Sequence, residues 1–199
     1  SSEDFFYDLS KLFLEYLKFS NIDLAKVYGN LGADIYGKLL SSGNLQFPIQ
    51  KYYGQIAEII KQYRDLSSDF GVININGALF HNSGANAIQE IAYSFTTALE
   101  YLQNLQSFNL NIDEIAQTMR FSFGVGSNFF MEIAKLRAAR IIWTKIIREF
   151  GGNEQSQKMF IHSQTSLRNK TKFNPWSNII RNTTECLSAI LGNSNSIEV

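Results

Sequence analysis

Two histidines, one cysteine and a scatter of carboxylates are the side chains in this sequence that could carry acid–base, metal or nucleophilic chemistry. His81 and His162 both fall at or just beyond the C-terminal ends of predicted strands, where α/β enzymes place their reacting groups. With no Cys, Asp or Glu clustered beside them, they make a poor metal site. The competing reading is a bland one, such as capping a neighbouring helix. Cys186 sits mid-helix beside Leu187 and Ile190, as a small core residue rather than a nucleophile. Glu90, Glu100, Asp113, Glu114 and Glu132 read as solvated helix faces, with Glu132 supporting the exposed side of its helix through Lys135 three residues on. No acid–base pair stands out among them. Gly124-Val125-Gly126 follows a strand and opens a helix, so it could cradle an anion at the helix N-terminus. It lacks the third glycine of the dinucleotide fingerprint, and a tight turn is the competing reading.

Elements that could position these groups alternate along the chain. Apolar residues recur at three- and four-residue spacing over Glu3–Phe19 (Phe5, Leu9, Leu12, Phe13, Tyr16), which predicts an amphipathic helix. Pro48 suits a first helical turn, followed by Ile49, Tyr52, Tyr53, Ile56, Ile59, Ile60 and Tyr63. Further stripes run Ile88, Ile91, Ala92, Phe95, Leu99, Leu102 and then Phe130, Ile133, Ala134, Ala138, Ile141, Ile142. A last helix opens at Asn174-Pro175 and stops near Gly192. Strand-like runs lie between them at Asp23–Tyr28, Val72–Asn76, Met119–Val125, Lys158–Ser163 and Ser196–Val199, while Gly29 to Gly43 reads as a glycine-rich loop. Strand–helix–strand alternation means parallel strands and an α/β class. Several strands alternate apolar with polar: Asn74 and Asn76, Arg120 and Ser122, His162 and Gln164 each share one face. Two readings fit, a barrel whose interior admits a polar ligand or strand ends that are simply solvated.

Composition narrows the classes. The 18 basic side chains balance the 18 acidic ones, and no Lys/Arg cluster marks a nucleic-acid surface. Hydrophobic residues make up 45% of the chain, which excludes a disordered one. One cysteine excludes an intrachain disulfide framework and fits a reducing compartment. The acidic start is unlike a secretory signal, and no apolar run approaches the ~20 residues that span a bilayer. A cytoplasmic protein without membrane association is the expectation.

Longer motifs carry a family resemblance. Gln89-Glu90-Ile91-Ala92-Tyr93, Leu99-Glu100-Tyr101, Ile112-Asp113-Glu114 and the run from Asn128 to Arg140 (NFFMEIAKLRAAR) resemble the substrate-binding barrel of methylmalonyl-CoA mutase. His162-Ser163-Gln164-Thr165-Ser166 and Asn174-Pro175-Trp176-Ser177-Asn178 with Arg181 continue the match in order. The resemblance implies a (β/α)8 TIM barrel, through whose axis coenzyme A threads in active members. Counted back from the last strand, this chain holds about strands four to eight, a single partial barrel over residues 1–199.

Departures from the pattern set the expected role. The resemblance puts a Tyr-His pair, whose histidine bonds the substrate thioester, on Ala78 and Leu79, and His81 comes two positions late. The Arg-x-Ser pair that contacts the coenzyme falls on Thr118 and Arg120. Of the ligand-contacting positions, His162 and Gln164 match and are the candidate substrate-binding residues; no catalytic, cofactor-binding or metal residue is assigned. The cobalamin signature Asp-x-His-x-x-Gly fails at both histidines, because Leu79 and Phe160 stand at the aspartate position, and no cobalamin-binding domain is present in the sequence. The pattern is most similar to the small, non-catalytic subunit of the heterodimeric mutases. That implies a catalytic large subunit as partner, holding adenosylcobalamin, and a CoA thioester as the possible ligand. An autonomous acyl-CoA-binding α/β protein and a pure scaffold are the alternatives. Tyr52, Tyr53, Tyr63, Trp143 and Trp176 offer apolar area for core or interface.

Overall fold

A computed structural model describes residues 6–23, 26–63 and 70–199. The elements run α1 (Phe6–Phe19), β1 (Gly29–Ala33), α2 (Ile35–Ser42), α3 (Ile49–Gln62), β2 (Phe70–Asn76), α4 (Gly77–Asn82) and α5 (Ala87–Gln106). They continue with α6 (Ile112–Ala116), β3 (Met119–Val125), α7 (Phe129–Glu149), β4 (Ile161–Thr165), α8 (Ser177–Leu191) and β5 (Ser196–Glu198). All strand pairs are parallel and the spatial order follows the sequence, β1-β2-β3-β4-β5. Each strand therefore returns to its neighbour through helices, and the sheet curls into half of a TIM barrel.

The outward face of the sheet carries the core. Ile73, Ile75, Phe121, Phe123 and Ile161 are buried there beneath α5 and α7. Trp143 of α7 meets the Phe121 ring edge-on at 4.8 Å, and Phe95 of α5 stacks on Trp143 at 6.3 Å. A second aromatic group holds α2 and α3 to α5. Tyr101 meets Tyr36 and Tyr53 edge-on at 5.3 and 5.9 Å, and its hydroxyl accepts the Ile35 N–H at 2.7 Å. Tyr52, Tyr53, Tyr63 and Trp143 are core residues, whereas Trp176 is exposed.

Three expectations need correction. The first strand is Gly29–Ala33 and not Asp23–Tyr28, of which Leu24 and Ala25 lie outside the described residues, as do Glu3 and Phe5 of the first helix. Gly32, at φ 72°, sits where the β1–β2 register shifts, so this strand bends at a glycine and escapes a reading by β-propensity. The stretch to Gly43 holds α2 as well; Asp34 caps it by accepting the Gly37 N–H at 2.8 Å, and Gly43 closes it at φ 72°.

The second correction concerns the faces of α5 and α7. Their buried residues include Glu90, Ser94, Ala98 and Tyr101 on α5, and Glu132, Lys135, Leu136, Ala139 and Trp143 on α7. Ile88, Phe130 and Ile141, members of the apolar stripes, are exposed instead. Glu90, Glu132 and Lys135 turn inward because they neutralise one another, which an apolar stripe cannot reveal. Third, α8 begins at Ser177, two residues after Pro175, because Asn174 and Pro175 form the turn whose carbonyls accept the N–H groups of Ser177 and Asn178.

Candidate functional site

Alternation in parallel strands puts every second side chain on the inner face of the curl. Register partners place Asn76, Ser122, His162 and Ser196 in one row across β2, β3, β4 and β5. The row above holds Gly124, Gln164 and Glu198, and the row below pairs Asn74 with Arg120. The inner face is thus polar over four strands, as the first of the two sequence readings required. A departure from strict alternation in β2 makes this possible. The N–H groups of Val72 and Ile73 both donate to Thr118 O, at 2.9 and 3.1 Å, so Gly71 and Asn74 turn to the same side.

Within the curl lies a cavity of about 640 Å³, lined by Tyr28, Asn30, Asn74, Arg120, Ser122, Phe160, His162 and Ser196 among others. Its polar atoms are already engaged pairwise. Ser122 Oγ donates to Asn74 Oδ1 at 2.9 Å. His162 Nδ1 lies 2.8 Å from Ser196 Oγ, and its Nε2 is 3.5 Å from Glu198 Oε2. Gln164 stands one row higher on the same strand, opposite Gly124 and Glu198. The structure brings His162 into the cavity wall and leaves Gln164 above it.

The β4–β5 pair that presents His162 is set from outside the sheet. Arg140 of α7 donates to Met159 O, to Asn193 O at 2.5 Å and to Asn195 Oδ1 at 2.9 Å. The same Asn195 oxygen accepts the Ile161 N–H at 2.9 Å. Burial pushes the Arg140 guanidinium below its usual range, although arginine remains charged.

His81 does not face this cavity. It is buried at the end of α4, with Nε2 2.9 Å from Ser166 Oγ and Nδ1 3.6 Å from Glu90 Oε2. Glu90 accepts the Gly124 N–H at 2.8 Å and Lys135 Nζ at 2.7 Å, and Lys135 also pairs with Glu132 at 2.5 Å. Beyond Ser166, Glu185 of α8 accepts the Ser166 N–H at 3.2 Å and Lys170 Nζ at 2.6 Å. The network ties α4, α5, α7 and α8 to the C-terminal ends of β3 and β4. Its existence explains the glycines of Gly124-Val125-Gly126. A Cβ on Gly124 would fall 2.5 Å from the His81 ring, and one on Gly126 would fall 3.2 Å from it. They make room for an imidazole rather than an anion. Sequence reasoning missed this cluster, and the one available signal was the recurrence of Glu and Lys inside otherwise apolar helices.

Ala78 is buried and Leu79 half-buried in α4, and neither side chain can bond a carbonyl. The Thr118 hydroxyl donates to Ile115 O at 2.9 Å, within its own turn. His81 is enclosed by Ser166 and Glu90, and His162 is held between Ser196 and Glu198. Among the described residues no cluster of three or more His, Cys, Asp or Glu could hold a metal ion, and no helix is long and apolar enough to cross a membrane.

Comparison with known proteins gives the site a family. The profile described as methylmalonyl-CoA mutase matches residues 7–199. The methylmalonyl-CoA mutase of Rhizobium meliloti is 34% identical over 173 residues, covering 86% of this chain and 24% of that protein. The methylmalonyl-CoA mutase small subunit of Porphyromonas gingivalis is 34% identical over 194 residues, covering 96% of this chain and 31% of that protein. The large subunit from Propionibacterium freudenreichii subsp. shermanii is 33% identical over 170 residues, covering 85% and 23%. The chain spans about a quarter to a third of the length of these relatives.

Proposed function

The chain belongs to the methylmalonyl-CoA mutase family, and on that premise we propose that it acts as the small-subunit component, or a segment of one, of an adenosylcobalamin-dependent methylmalonyl-CoA mutase. In this reading it is itself non-catalytic and supports the isomerisation of (R)-methylmalonyl-CoA to succinyl-CoA on a catalytic large subunit in the cytoplasm. The observation that carries the reading is the α4 segment, where Leu79 occupies the place of the thioester-bonding histidine and His81 is spent on Ser166 and Glu90. An enzyme needs a donor aimed at the oxygen where charge develops, and loss of one such donor costs ~10²–10³ in rate. Adenosylcobalamin, which this reading assigns to the large subunit, would supply the radical chemistry when bound. This chain's residues would line the protected space and hold it in shape. His162 and Gln164 remain its candidates for contact with a polar ligand.

Both outer strands, β1 and β5, are sheet edges, and an unpaired parallel edge needs cover. We place these five strands as the last five of an eight-stranded barrel completed by a further segment. Beside β5, the outer side of α8 exposes Ile179, Leu187 and Ile190 around half-buried Cys186. The names of the relatives include both large and small subunits, which favours a heterodimer. Co-expression with a large subunit followed by gel filtration tests the assignment. Co-elution is expected, and separate elution at micromolar concentration contradicts it.

A further inference from the structure

Helix α7 presents an outward surface that completing the barrel leaves bare. It packs against α5 on one side and α8 on the other, and its inner side, with Leu136, Ala139, Trp143 and Ile147 buried, covers the sheet. The neighbours that a barrel gives an outer helix are therefore in place. Strands added at the β1 or β5 edge would leave α7 an internal helix, still flanked by α5 and α8. Steps of three and four residues nonetheless align Phe130, Ala134, Arg137, Ile141, Lys145 and Arg148 along the side opposite the core, and all six are exposed. Phe130 is 80% exposed and Ile141 59%. The line runs ~27 Å along the helix, about five turns.

The charges on this line have one sign. Among the described residues no carboxylate pairs with Arg137, Lys145 or Arg148, whereas exposed Lys11 pairs with Glu58 at 3.2 Å and exposed Lys26 with Asp23 at 3.3 Å. Arg137 and Arg148 have no acidic residue three or four positions away on either side, and Lys145 stands three before Arg148, a like-charge spacing that disfavours an isolated helix. Of the two acids in α7, Glu132 is turned inward to Lys135 and Glu149 is the last residue of the helix. We propose that the outward face of α7 is a docking surface for an acidic amphipathic helix of a second, different chain. Apolar side chains of that helix pack over Phe130, Ala134 and Ile141, and its Asp or Glu side chains pair with Arg137, Lys145 and Arg148.

Charge selects this occupant over the other candidates. A second copy of the chain seated on the same face would set basic side chains against basic ones, which opposes association. An acidic helix instead supplies the partners that α7 lacks, while the apolar side chains between the bases give the contact a centre that excludes water. The inference deepens the heterodimer reading and rests on it only for the identity of the second chain.

Fluorescence anisotropy with the full chain and two labelled helical peptides tests the surface. Both peptides carry the same leucine stripe; one flanks it with glutamate, the other with lysine. The glutamate peptide is expected to bind at least about tenfold more tightly than the lysine peptide, and to lose that advantage when Arg137→Glu and Arg148→Glu are combined. Ile141→Asp should weaken the glutamate peptide by about tenfold as well, by removing the apolar centre. The substituted side chains are exposed, circular dichroism checks the fold, and either folded variant suffices. Equal binding of the two peptides, no binding of either, or a preference unchanged in a folded variant would overturn the proposal. So would tighter binding of an RNA oligomer, or a dimer of the native chain that Ile141→Asp disperses, since the occupant would then be a different one. Co-elution with a large subunit is a separate readout, so failure of the peptides leaves the subunit assignment standing on its own test.

Discussion

Two polar regions lie within a few residues of each other along the same strands, and they are built on opposite terms. The inner-face row of Asn76, Ser122, His162 and Ser196 consists of half-buried polar side chains beside a cavity. The cluster of His81, Glu90, Lys135, Glu132 and Glu185 is buried and carries most of the formal charge near the strand ends. The residue types usually associated with chemistry therefore mostly fasten the scaffold, while the surface able to meet a ligand is built chiefly of hydrogen-bonding side chains beside Arg120. The longest family motif, from Asn128 to Arg140, shows the same division. Its Glu132, Lys135 and Arg140 all bond to buried or strand-setting partners and leave the lumen untouched. A motif can identify a family because it holds the barrel together.

The sharpest way to break this contrast is Lys135→Met. It removes the cation shared by Glu90 and Glu132 and leaves two buried carboxylates facing each other, so a loss of about 3–5 kcal/mol is expected in urea unfolding. A loss comparable to that of a surface substitution would mean the cluster is solvated. Next in size is Gly124→Ala, whose Cβ collides with the His81 ring and should cost about 1–3 kcal/mol, measured the same way. The substitution Gly84→Ala cannot serve as a neutral control, because φ 108° strains any side chain there.

The tyrosine group offers an independent contrast, being buried but neutral. Burial raises Tyr36, Tyr53 and Tyr101 above the usual tyrosine range, and raises Tyr63 to about 12. Above pH 10 the unfolded chain loses these protons while the folded one keeps them. Stability from this source is complete below pH 10 and declines as pH rises toward 12 for Tyr63. Thermal unfolding followed across that range, with tyrosinate absorbance, should show ionisation coinciding with unfolding. Smallest of all is Ser196→Ala in the lumen row. It faces a cavity that water can fill, so the change should stay within about 1 kcal/mol. A large loss there would erase the distinction between the two regions.

How far the sequence foretold this depended on where local pattern and tertiary context agreed. In β3, Phe121 and Phe123 alternate with Arg120 and Ser122, the predicted bounds match the observed Met119–Val125, and the polar face follows directly. The strand Gly29–Ala33 was hidden because two of its five residues are glycines and the strand bends at Gly32. The inward faces of α5 and α7 were misread because the rule that charge faces water fails where charges are mutually paired. His81 was placed correctly beyond a strand end, yet its burial depends on glycines at 124 and 126, far away in sequence.

The most direct measurement is turnover by the chain alone. On the proposed non-catalytic role, purified protein supplied with adenosylcobalamin and (R)-methylmalonyl-CoA should form succinyl-CoA no faster than a protein-free control. Conversion above that control, with no large subunit present, would contradict a supporting role and require the lumen of this chain to be catalytic.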